Sequence, residues 1–576
     1  MDSRTAAHTL TQIAAYLELK GESSFKVRAY AGAAQAIMAV GADDLAPRYK
    51  SGELAGVRGL GPATLAVVQD LIETGESRYL EQLRQATPEG LLEMLEIPGL
   101  SPGRIHQIHE ALNIATVEEL EAAAVDGRLA KVPKIGPKTA AKILKGIADA
   151  RERGSLRLYH HAIVEARRLL EAVASHPDVE RCEIAGDIRR RAEVAARIDI
   201  VAGCASDPIA VAQSFTRVPG VERSEGAGAS VAIHFVDGAH LQLHCVGREQ
   251  FGLALWWATG NETHVAEVVQ RLSAHGVSLA GSGLADAAGH TIPTIDERAI
   301  YTSAGLAFVE PELREGMGEV AVAERKELPN LVTLPQVRGV LHCHTLYSDG
   351  KATIADMAAA AKERGYSYIG ITDHSQSAFY ANGMTRDRVL AQLEEIDEIN
   401  ATLTEFRVLK GVEADILSDG RVDYDDDILD RFDFVVASIH SRFSMDREAM
   451  TARLLRALDD PRVTILGHPT GRLLLSRQPY PMDLDAILEK AVALGVAVEL
   501  NADPKRLDLD WRHLKRAKTL GATVAIGPDA HSPKGLDVMD IGVGIARKGW
   551  LEADDILNAG SADDVVAFAR ARRSGL

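Results

Sequence analysis

The C-terminal half of the sequence places histidines and carboxylates directly after a series of short apolar segments. Each of these segments except GVAVELNA ends in a possible metal ligand. The predicted ligands are His342, His344, Asp349, His374, Glu413, His440, His468, Asp529 and His531. Cys343 lies between two of them on a predicted strand and should point to the opposite side, so no thiolate joins the set. Imidazole and carboxylate donors of this kind suit zinc, manganese or iron.

The set of predicted ligands is larger than one ion needs, which predicts two or three metal ions bridged by a carboxylate. Glu413 is the natural bridge because it is the only glutamate in the set. Clustered cations lower the pKa of a bound water, neutralise a phosphate and stabilise the leaving oxygen. The predicted chemistry is therefore phosphoester hydrolysis without a serine or cysteine nucleophile. The residues predicted to be catalytic are Glu413, Asp349, Asp529 and His440.

The elements that must position these residues alternate between strand and helix after Gly339. Seven apolar segments read as buried strands, spaced over roughly 240 residues, which is near the size of a (βα) barrel. The C-terminal ends of the strands of a parallel barrel converge on one mouth, where the predicted ligands would meet. The sequence thus predicts a distorted (βα)7 barrel over residues 338–576, after a polar linker punctuated by glycine and proline over residues 316–337.

A second stretch with possible chemistry, IAGDIRRRAEVAARIDIVAG, runs from Ile184 to Gly203. It predicts a turn with paired arginines and then a short strand, whose alternation places Arg197 and Asp199 on one face. A nucleotidyl-transfer site needs two carboxylates at that spacing to hold metal ions. Here one of the two positions is an arginine, so the stretch could belong to a polymerase, to the remains of one, or to a protein whose chemistry lies elsewhere.

The N-terminal part of the sequence predicts short helices broken by glycine and proline. Two breaks share a form, VRGLGPATLAVVQDLIETG and VPKIGPKTAAKILKGI, which resembles the helix-hairpin-helix motif. Its glycine turn aims free backbone amides and a positive helix start at an anion, which suits a DNA phosphate. A similar stretch between them, IPGLSPGRIHQI, has Ser101 in place of the second glycine. The predicted DNA contacts are Gly59, Gly61, Lys134, Gly136, Lys138 and Lys142.

The composition of the 576-residue chain, 46% hydrophobic and 5% aromatic, predicts several cores and hence three or four domains. The net charge of −18 argues against uniform nucleic-acid binding, but bases cluster between Lys131 and Arg157 while acids concentrate in the C-terminal half. No apolar run of membrane-spanning length and no signal-peptide pattern occur, so we expect a cytoplasmic protein without a membrane contact. The four cysteines lack paired spacing, which predicts reduced thiols.

The motifs HCHTLYSDG, ITDHS, GVEADIL, SIHS, GHPTGRLL and PDAHSP closely resemble those of the PHP (polymerase and histidinol phosphatase) domain. From end to end, including SSFKVRAYAGAAQAI near the start, the chain is similar to bacterial family X DNA polymerases. The resemblance implies a trinuclear site, with zinc or manganese, on the ligands named above. It also implies manganese-stimulated 3′-5′ exonuclease activity and abasic-site or 3′-end processing in base excision repair. Its DNA partner would be gapped or nicked or have a free 3′ end.

The resemblance also implies a multidomain α and α/β organisation. Its parts are a small helical domain with a helix-hairpin-helix (1–85), a fingers-like helix-hairpin-helix domain (86–157), a nucleotidyltransferase palm (158–245), a thumb-like domain (246–315), the linker (316–337) and the PHP barrel (338–576).

The family's palm signature is glycine-serine, two arginines, and two aspartates one residue apart, with a third aspartate on a later strand. The residues that match the signature, or a later segment that meets the nucleotide sugar, are Gly186, Arg189, Arg190, Asp199, Thr259 and Gly260. The residues that differ are Asp187, in place of serine, and Arg197 and Gln242, in place of aspartates. A guanidinium repels metal ions, a glutamine offers one neutral oxygen, and an added carboxylate repels a triphosphate. This predicts a palm that binds DNA but adds nucleotides weakly or not at all, with magnesium needed only if the palm is active.

Several alternatives stay open at the level of sequence. Arg197 could pair with Asp199 and preserve the palm as a scaffold, or it could reflect drift of an idle domain. The whole protein could be a working gap-filling polymerase with an exonuclease, a DNA-binding scaffold with a structural metal cluster, or a small-molecule phosphatase resembling histidinol phosphatase. Arg442, Arg472 and Lys534 follow strand ends as possible substrate anchors, although solvated surface charge is the favoured interpretation. We expect a monomer.

Overall fold

The computed structural model describes residues 3–40, 45–74, 77–85, 87, 91, 94, 97, 100–154, 156–235, 238–280 and 283–574. The chain forms two compact units, residues 1–155 and residues 156–576. The first unit is helical. The second contains a mixed sheet, a smaller helical region and a parallel barrel.

The N-terminal unit is built from helices separated by tight turns. Its α-helices are Ser3–Leu19, Ser24–Val40, Ala46–Lys50, Pro62–Thr74, Arg78–Gln85, Pro102–Leu112, Val117–Val125 and Pro137–Gly154. Their apolar faces form two clusters, one that includes Leu10 and Ile37 and one that includes Ile105 and Ile143. The helices therefore derive their stability from burying one face each rather than from their length.

The palm region is a five-stranded sheet. Across the sheet the strands are Val179–Ala185, Ile198–Cys204, His240–Gly247, Ser230–Phe235 and Val221–Glu225. The second and third of these run parallel, and their register sets Asp199 beside Gln242. The helices Tyr159–Ala174 and Pro208–Phe215 pack on one face, and the helix Phe251–Thr259 packs on the other. This layering fixes the strand ends that carry the palm signature.

The thumb-like region follows the sheet. It consists of the helices Phe251–Thr259, Glu262–Ala274 and Arg298–Ser303 and the short antiparallel strands Ser278–Ala280, Gly283–Ala285 and Thr291–Ile292. The stretch predicted to be a linker then forms the helix Glu319–Arg325, and it buries Val320, Ala323 and Val332. The carboxylate of Glu319 lies 2.8 Å from Nδ1 of His264. The stretch is therefore packed against its neighbours rather than extended in solvent.

The C-terminal region is the predicted seven-stranded parallel barrel. Its strands, in spatial and chain order, are Gly339–Val340, Tyr368–Ile371, Arg407–Asp415, Phe434–Ser438, Ile465–Leu466, Ala497–Asn501 and Val524–Gly527. Its α-helices are Ile354–Glu363, Arg386–Thr402, Asp426–Leu429, Arg447–Leu458, Leu484–Leu494, Trp511–Leu520, Met539–Lys548 and Ala562–Ser574. A bridge between Cys343 and Ala530 connects the segments that follow the first and last strands, so the barrel is nearly closed.

The interior of the barrel is apolar below its mouth. Tyr368, Leu409 and Phe434 pack there with Val565 and Ala569 of the C-terminal helix. The outward faces of the same strands pack against the surrounding helices, which explains why the strands read as continuous apolar runs. The polar residues that follow the strands are therefore collected at the opposite end, at the mouth.

Candidate functional site

The barrel mouth brings all of the predicted metal ligands together. Their donor atoms form four overlapping groups, within each of which the atoms lie within 4.8 Å of one another. The groups are His344, Asp349, His374 and His531; His342, Glu413 and His468; His342, His344 and Asp529; and His374, Glu413 and His440. The convergence arises because each residue lies near or after the C-terminal end of a strand of the same parallel sheet.

Glu413 is the centre of this cluster. Its carboxylate is buried, and its two oxygens face imidazoles from five different positions along the chain. The distances from its oxygens to the imidazole nitrogens are 3.3 Å for His342, 3.6 Å for His344, 2.9 Å for His374, 3.2 Å for His440 and 2.9 Å for His468. A carboxylate in this position can bridge two cations, as the sequence predicts for the only glutamate of the set.

The two aspartates complete the cluster at its edges. Nε2 of His344 lies 3.2 Å from Oδ1 of Asp529, and Nε2 of His531 lies 3.2 Å from Oδ1 of Asp349. The rings of His344 and His531 are stacked with their centroids 4.3 Å apart. Two further groups of ligand atoms thus adjoin the one around Glu413, which is the geometry of a site for more than one ion.

Several buried donor atoms of the cluster have no hydrogen-bond partner among the described residues. They are Nε2 of His342, both ring nitrogens of His344, Nδ1 of His374, Nδ1 of His468 and Oε2 of Glu413. Nδ1 of His374 lies 2.9 Å from Oε2 of Glu413, but the two atoms are not aligned for a hydrogen bond. Unpaired buried polar atoms are costly, and metal ions would satisfy several of them at once. The donor set therefore fits the metal ions that the sequence predicts.

The charges within the cluster also suit cations. Burial lowers the pKa of His344 to about 3, and the neighbouring His374 and His531 add to this effect. Burial alone would lower the pKa of His440, but the charge of Glu413 and a hydrogen bond to Asp415 raise it to about 10. Imidazoles must be neutral to bind a metal, so binding here would release protons. His344 would therefore bind a metal ion without losing a proton, whereas His440 would have to release a proton first.

A layer of carboxylate and amide groups supports the ligands, and the sequence analysis missed it. Glu499 accepts a hydrogen bond from Nδ1 of His342 at 2.5 Å and another from the backbone N–H of His468 at 2.6 Å. Nδ1 of His440 lies 2.7 Å from Asp415. Such contacts fix which imidazole nitrogen faces the metal. Glu499 belongs to GVAVELNA, the segment without a predicted ligand, and its alternation with Asn501 on the inner face was the available signal.

Three of the ligands have strained backbones. His342, His468 and Asp529 have φ angles of 68°, 22° and 52°, in a region that residues other than glycine rarely adopt. Strain of this kind persists only where surrounding contacts enforce it, and it concentrates at functional sites. The first strand ends at Val340, before His342. His342 and His344 face the cluster, whereas the side chain of Cys343 between them packs in the outer core.

A buried arginine that the sequence analysis did not consider faces the cluster. The guanidinium of Arg506 lies 3.6 Å from Oδ2 of Asp529 and is mostly buried. Of the suggested substrate anchors, Arg442 and Lys534 are exposed, as expected for surface charge. Arg472 is buried, so its interpretation as solvated surface charge is wrong.

Arg472 connects the barrel to the palm. It donates to Glu193 of the palm at 2.9 Å and to the backbone oxygen of Arg506 at 2.9 Å, and it pairs with Asp510. The side chain of Trp511 donates to the same Glu193 at 3.2 Å. The arginine therefore ties the loop that carries Arg506 to a carboxylate of the palm.

The palm site is organised differently. Nε of Arg197 lies 3.1 and 3.2 Å from the two oxygens of Asp199, so the pairing hypothesised from the sequence is present. Gly186 has a φ angle of 64°, and a Cβ at this position would lie 2.4 Å from Oδ2 of Asp199. Gln242 donates to Ser230 at 3.0 Å rather than to a neighbouring acid. Asp199 is thus paired with a cation of the protein itself.

The paired arginines of the palm are also bound internally. Arg189 donates to both oxygens of Glu297 at 2.8 and 2.6 Å and to Thr259 at 2.8 Å. Arg190 donates to Asp187 at 2.6 Å, to Glu315 at 2.9 Å and to the backbone oxygen of Thr259. These contacts leave little of either guanidinium free for an anion.

A cavity of about 860 Å³ lies at the palm site. The predicted residues that line it are Gly186, Asp187, Arg190, Arg197, Asp199, Thr259 and Gly260, whereas Arg189 and Gln242 do not. In the described part of the palm, no group of three or more metal-ligating side chains converges. The cavity is therefore retained without a cluster of ligands for metal ions.

The predicted DNA contacts lie at helix starts of the N-terminal unit. Gly59 and Gly61 precede the helix Pro62–Thr74, and Gly136 precedes the helix Pro137–Gly154. The lysines Lys134, Lys138 and Lys142 are exposed. Between these turns Ser101 caps the helix Pro102–Leu112 by accepting from the N–H of Arg104 at 3.3 Å, while Pro98 and Gly99 of that stretch lie outside the described residues. Helix starts of this form can bind a phosphate.

Among the described residues, no helix has the length and apolar character needed to cross a membrane.

Known protein families match four parts of the chain. A helix-hairpin-helix domain matches residues 1–77, a SAM-like helix-hairpin-helix tandem residues 91–149, a DNA polymerase beta thumb residues 254–315 and a PHP domain residues 341–502. The DNA polymerase/3′-5′ exonuclease PolX of Bacillus subtilis is 36% identical over 575 residues, which cover 99% of this chain and 100% of that protein. A probable phosphatase of Caldanaerobacter subterraneus is 32% identical over 201 residues, 33% of this chain and 74% of that protein.

Proposed function

The chain belongs to the family X DNA polymerases that carry a C-terminal PHP domain, and on this premise we propose that its barrel hydrolyses the terminal phosphodiester bond of DNA 3′ ends. The observation that carries the proposal is the cluster around Glu413, in which several buried donor atoms lack hydrogen-bond partners among the described residues. The relative from Bacillus subtilis, which is similar over its full length, is named a DNA polymerase/3′-5′ exonuclease. Processing of abasic sites in base excision repair would use the same site.

The ligands would hold two or three zinc or manganese ions. When bound, these ions supply a hydroxide near neutral pH and neutralise the phosphate. Glu413 would bridge them, with Asp349, Asp529 and His440 completing the catalytic set. Glu499 and Asp415 hold His342 and His440 through Nδ1, so that Nε2 of each ring faces the site.

Arg506 would bind the phosphate of the substrate. Its guanidinium lies beside Asp529, on the edge of the ligand cluster, and no hydrogen bond from it is formed within the described residues besides that ion pair. A guanidinium presents a fork of N–H donors that matches two phosphate oxygens. It would orient the scissile phosphate and stabilise the charge that grows during hydrolysis.

The remaining regions would hold the DNA. Under this proposal the helix-hairpin-helix turns of residues 1–85 and 86–157 bind phosphates through Gly59, Gly61, Lys134, Gly136, Lys138 and Lys142. The palm (158–245) and thumb-like region (246–315) would bind gapped or nicked DNA without adding nucleotides, because Arg197 occupies the place of a metal ligand and Asp187 repels a triphosphate. Magnesium would be needed only by an active palm.

A labelled primer-template, incubated with the full-length protein, manganese and all four deoxynucleotides, tests the proposal. The expected result is shortening of the primer by the wild type, and no shortening by a His342→Ala, Glu413→Ala double variant. Primer extension by the double variant would contradict the inactive palm, and shortening by it would contradict the barrel as the nuclease.

One alternative has an observation in its favour. The relative from Caldanaerobacter subterraneus, which aligns with 33% of this chain, is named a probable phosphatase. A small-molecule phosphatase would release phosphate from simple phosphomonoesters faster than it shortens DNA. Comparing p-nitrophenyl phosphate with a labelled oligonucleotide at equal enzyme concentration separates the two functions.

A further inference from the structure

Four large apolar side chains of the barrel are exposed, and three of them lie in loops that follow predicted ligands. Among its described residues, those with substantial exposure are Leu346 (56%), Phe379 (85%), Tyr380 (68%) and Leu390 (37%). Leu346 follows the ligand His344, and the two aromatic residues lie in the loop after the ligand His374. The other aromatic side chains of the barrel are buried or half-buried, so this exposure is confined to the mouth beside the metal ligands.

The loop that carries the two aromatic residues is held firmly. Phe379–Ala381 forms a single helical turn, and Ala378 and Ala381 on either side of the pair are buried. The side chain of Asn382 donates to the backbone oxygen of Ser348 at 3.1 Å, which joins this loop to the one that contains Asp349. A Cβ on Gly383 would lie 2.0 Å from the backbone oxygen of Ser375, so the loop is closely packed. The two rings therefore project from a fixed support.

The ring of Tyr380 lies next to the cluster of predicted ligands, and Phe379 precedes it in the chain. The centroid of the Tyr380 ring is 6.2 Å from that of His374 and 6.0 Å from that of His440. Both histidines contact Glu413. A phosphate held by this cluster would thus have an exposed aromatic surface on one side, within the reach of the nucleoside attached to it.

We propose that Phe379 and Tyr380 form the stacking surface for the unpaired terminal nucleobase of the DNA strand that the barrel shortens. The inference rests on the proposed exonuclease function and names the part of the substrate that the mouth recognises. Every nucleobase has a π face, so stacking on aromatic side chains binds single strands with little preference for sequence. A simple phosphomonoester has no base to occupy this surface. The pair therefore selects nucleic acid ends over small phosphate esters.

The experiment compares two single-stranded oligonucleotides that differ only at the 3′ terminus. One ends in a normal nucleotide, and the other ends in a tetrahydrofuran residue that lacks the base. In a Phe379→Ala, Tyr380→Ala double variant we expect the KM for the normal strand to rise about tenfold or more. The rate on the strand without a terminal base should stay at the wild-type value, because that substrate never used the rings.

Further variants separate stacking from structural damage. A Phe379→Trp, Tyr380→Phe double variant should restore the wild-type KM, and Leu390→Ala, which removes an exposed apolar side chain farther along the chain, should leave both substrates unchanged. Bound metal, measured on the purified double-alanine variant, should equal that of the wild type. Failure of the wild type to cut either strand would count against the exonuclease function itself.

If the double-alanine variant cleaves both strands equally slowly, or both at the wild-type rate, the proposed stacking surface is wrong while the exonuclease function stands. A wild-type dimer that becomes monomeric in the double-alanine variant, with unchanged cleavage, would also overturn it. That result would assign the exposed pair to a contact between two copies of the chain.

Discussion

The palm and the barrel each gather charged side chains at the ends of sheet strands, but they balance those charges in opposite ways. In the palm, Asp199 is neutralised by Arg197, and Arg189 is neutralised by Glu297. In the barrel, Glu413 is surrounded by imidazoles whose donor atoms are in part unpaired. The palm supplies its own cations, whereas the barrel leaves room for cations from solution.

On the proposed function, this difference would allow the palm to keep its cavity without adding nucleotides. A metal ion and a guanidinium both stabilise a carboxylate, but only the ion can also bind water or a phosphate oxygen as a ligand. Under the proposed function, Arg197 neutralises Asp199 without supplying a position for such a ligand. The predictions below test this contrast, starting with the largest expected effect.

Removing the charge of Glu413 should abolish the barrel's activity. Mutation of groups that only support metal ligands lowers metal affinity or activity by about ten- to a hundredfold. Glu413→Gln alters the central predicted ligand itself, so it should slow shortening of a labelled 3′ end by more than about a hundredfold. A gel assay with manganese measures the rate. Glu398→Gln, an exposed change on a barrel helix, is the control and should match the wild type.

Retained activity in Glu413→Gln, with unchanged metal content, would mean that the cluster around it does not perform the hydrolysis. The contrast between the two regions would then rest on the palm alone.

Restoring the palm's carboxylates tests the other side of the comparison. In the Glu413→Gln background we expect no primer extension, and the further changes Asp187→Ser, Arg197→Asp and Gln242→Asp should produce measurable nucleotide addition with magnesium. The physical reason is that two aspartates beside Asp199 recreate an anionic site for metal ions. Single-nucleotide addition on a gapped substrate is the measurement.

Extension by the background protein itself would show that Arg197 has not silenced the palm. No extension after restoration would mean that the internal pairing of Arg189 and Arg190 also blocks the triphosphate.

Arg506 should affect catalysis without affecting metal binding. Arg506→Gln removes a charged donor to the phosphate, and charged hydrogen bonds of this kind correspond to a rate loss of about ten- to a hundredfold. Arg506→Lys keeps the charge but not the fork of donors, and it should recover part of the loss. Steady-state cleavage of a labelled oligonucleotide is compared with bound metal. Loss of metal in Arg506→Gln would instead make this residue a support of Asp529.

The ligand set was predictable from sequence because position along a strand fixes position at the mouth. His374 follows the strand Tyr368–Ile371, and Glu413 lies near the end of the adjacent parallel strand Arg407–Asp415, so the order of the strands brings the two residues together. The roles of Glu499 and Arg472 were not predictable in this way. The alternation of Glu499 with Asn501 places the carboxylate on the inner face but does not reveal that it supports His342. The burial of Arg472 depends on Glu193, which comes from a distant part of the chain, and on Asp510.

The contact of Glu193 in the palm with Arg472 and Arg512 in the barrel should contribute more to stability than to activity. Glu193→Gln leaves Arg472 and Arg512 opposite a neutral group, and breaking a buried ion pair costs about 3 kcal/mol in the free energy of unfolding. Cleavage of a 3′ end should fall by less than about tenfold, because Asp510 still holds Arg472. Urea unfolding and the gel assay measure the two effects.

Glu180→Gln, an exposed change in the same region of the palm, is the control and should alter neither quantity. A loss of cleavage as large as that of Glu413→Gln would mean that the barrel works only when the palm holds it, so that the two regions form one functional unit.

The ion pair between Arg189 of the palm and Glu297 of the thumb-like region should also make the protein's stability depend on pH. Burial alone would raise the pKa of Glu297, but the hydrogen bond from Arg189 and the charge of Arg314 lower it to about 2. A lowered pKa in the folded state adds stability that is present above the unfolded pKa near 4.5 and is lost as the pH falls towards 2. Glu297→Gln should therefore be less stable than the wild type at pH 7, and the difference should shrink below about pH 4.5. Urea unfolding at a series of pH values measures this, and a constant difference would mean that Glu297 acts through packing rather than through its charge.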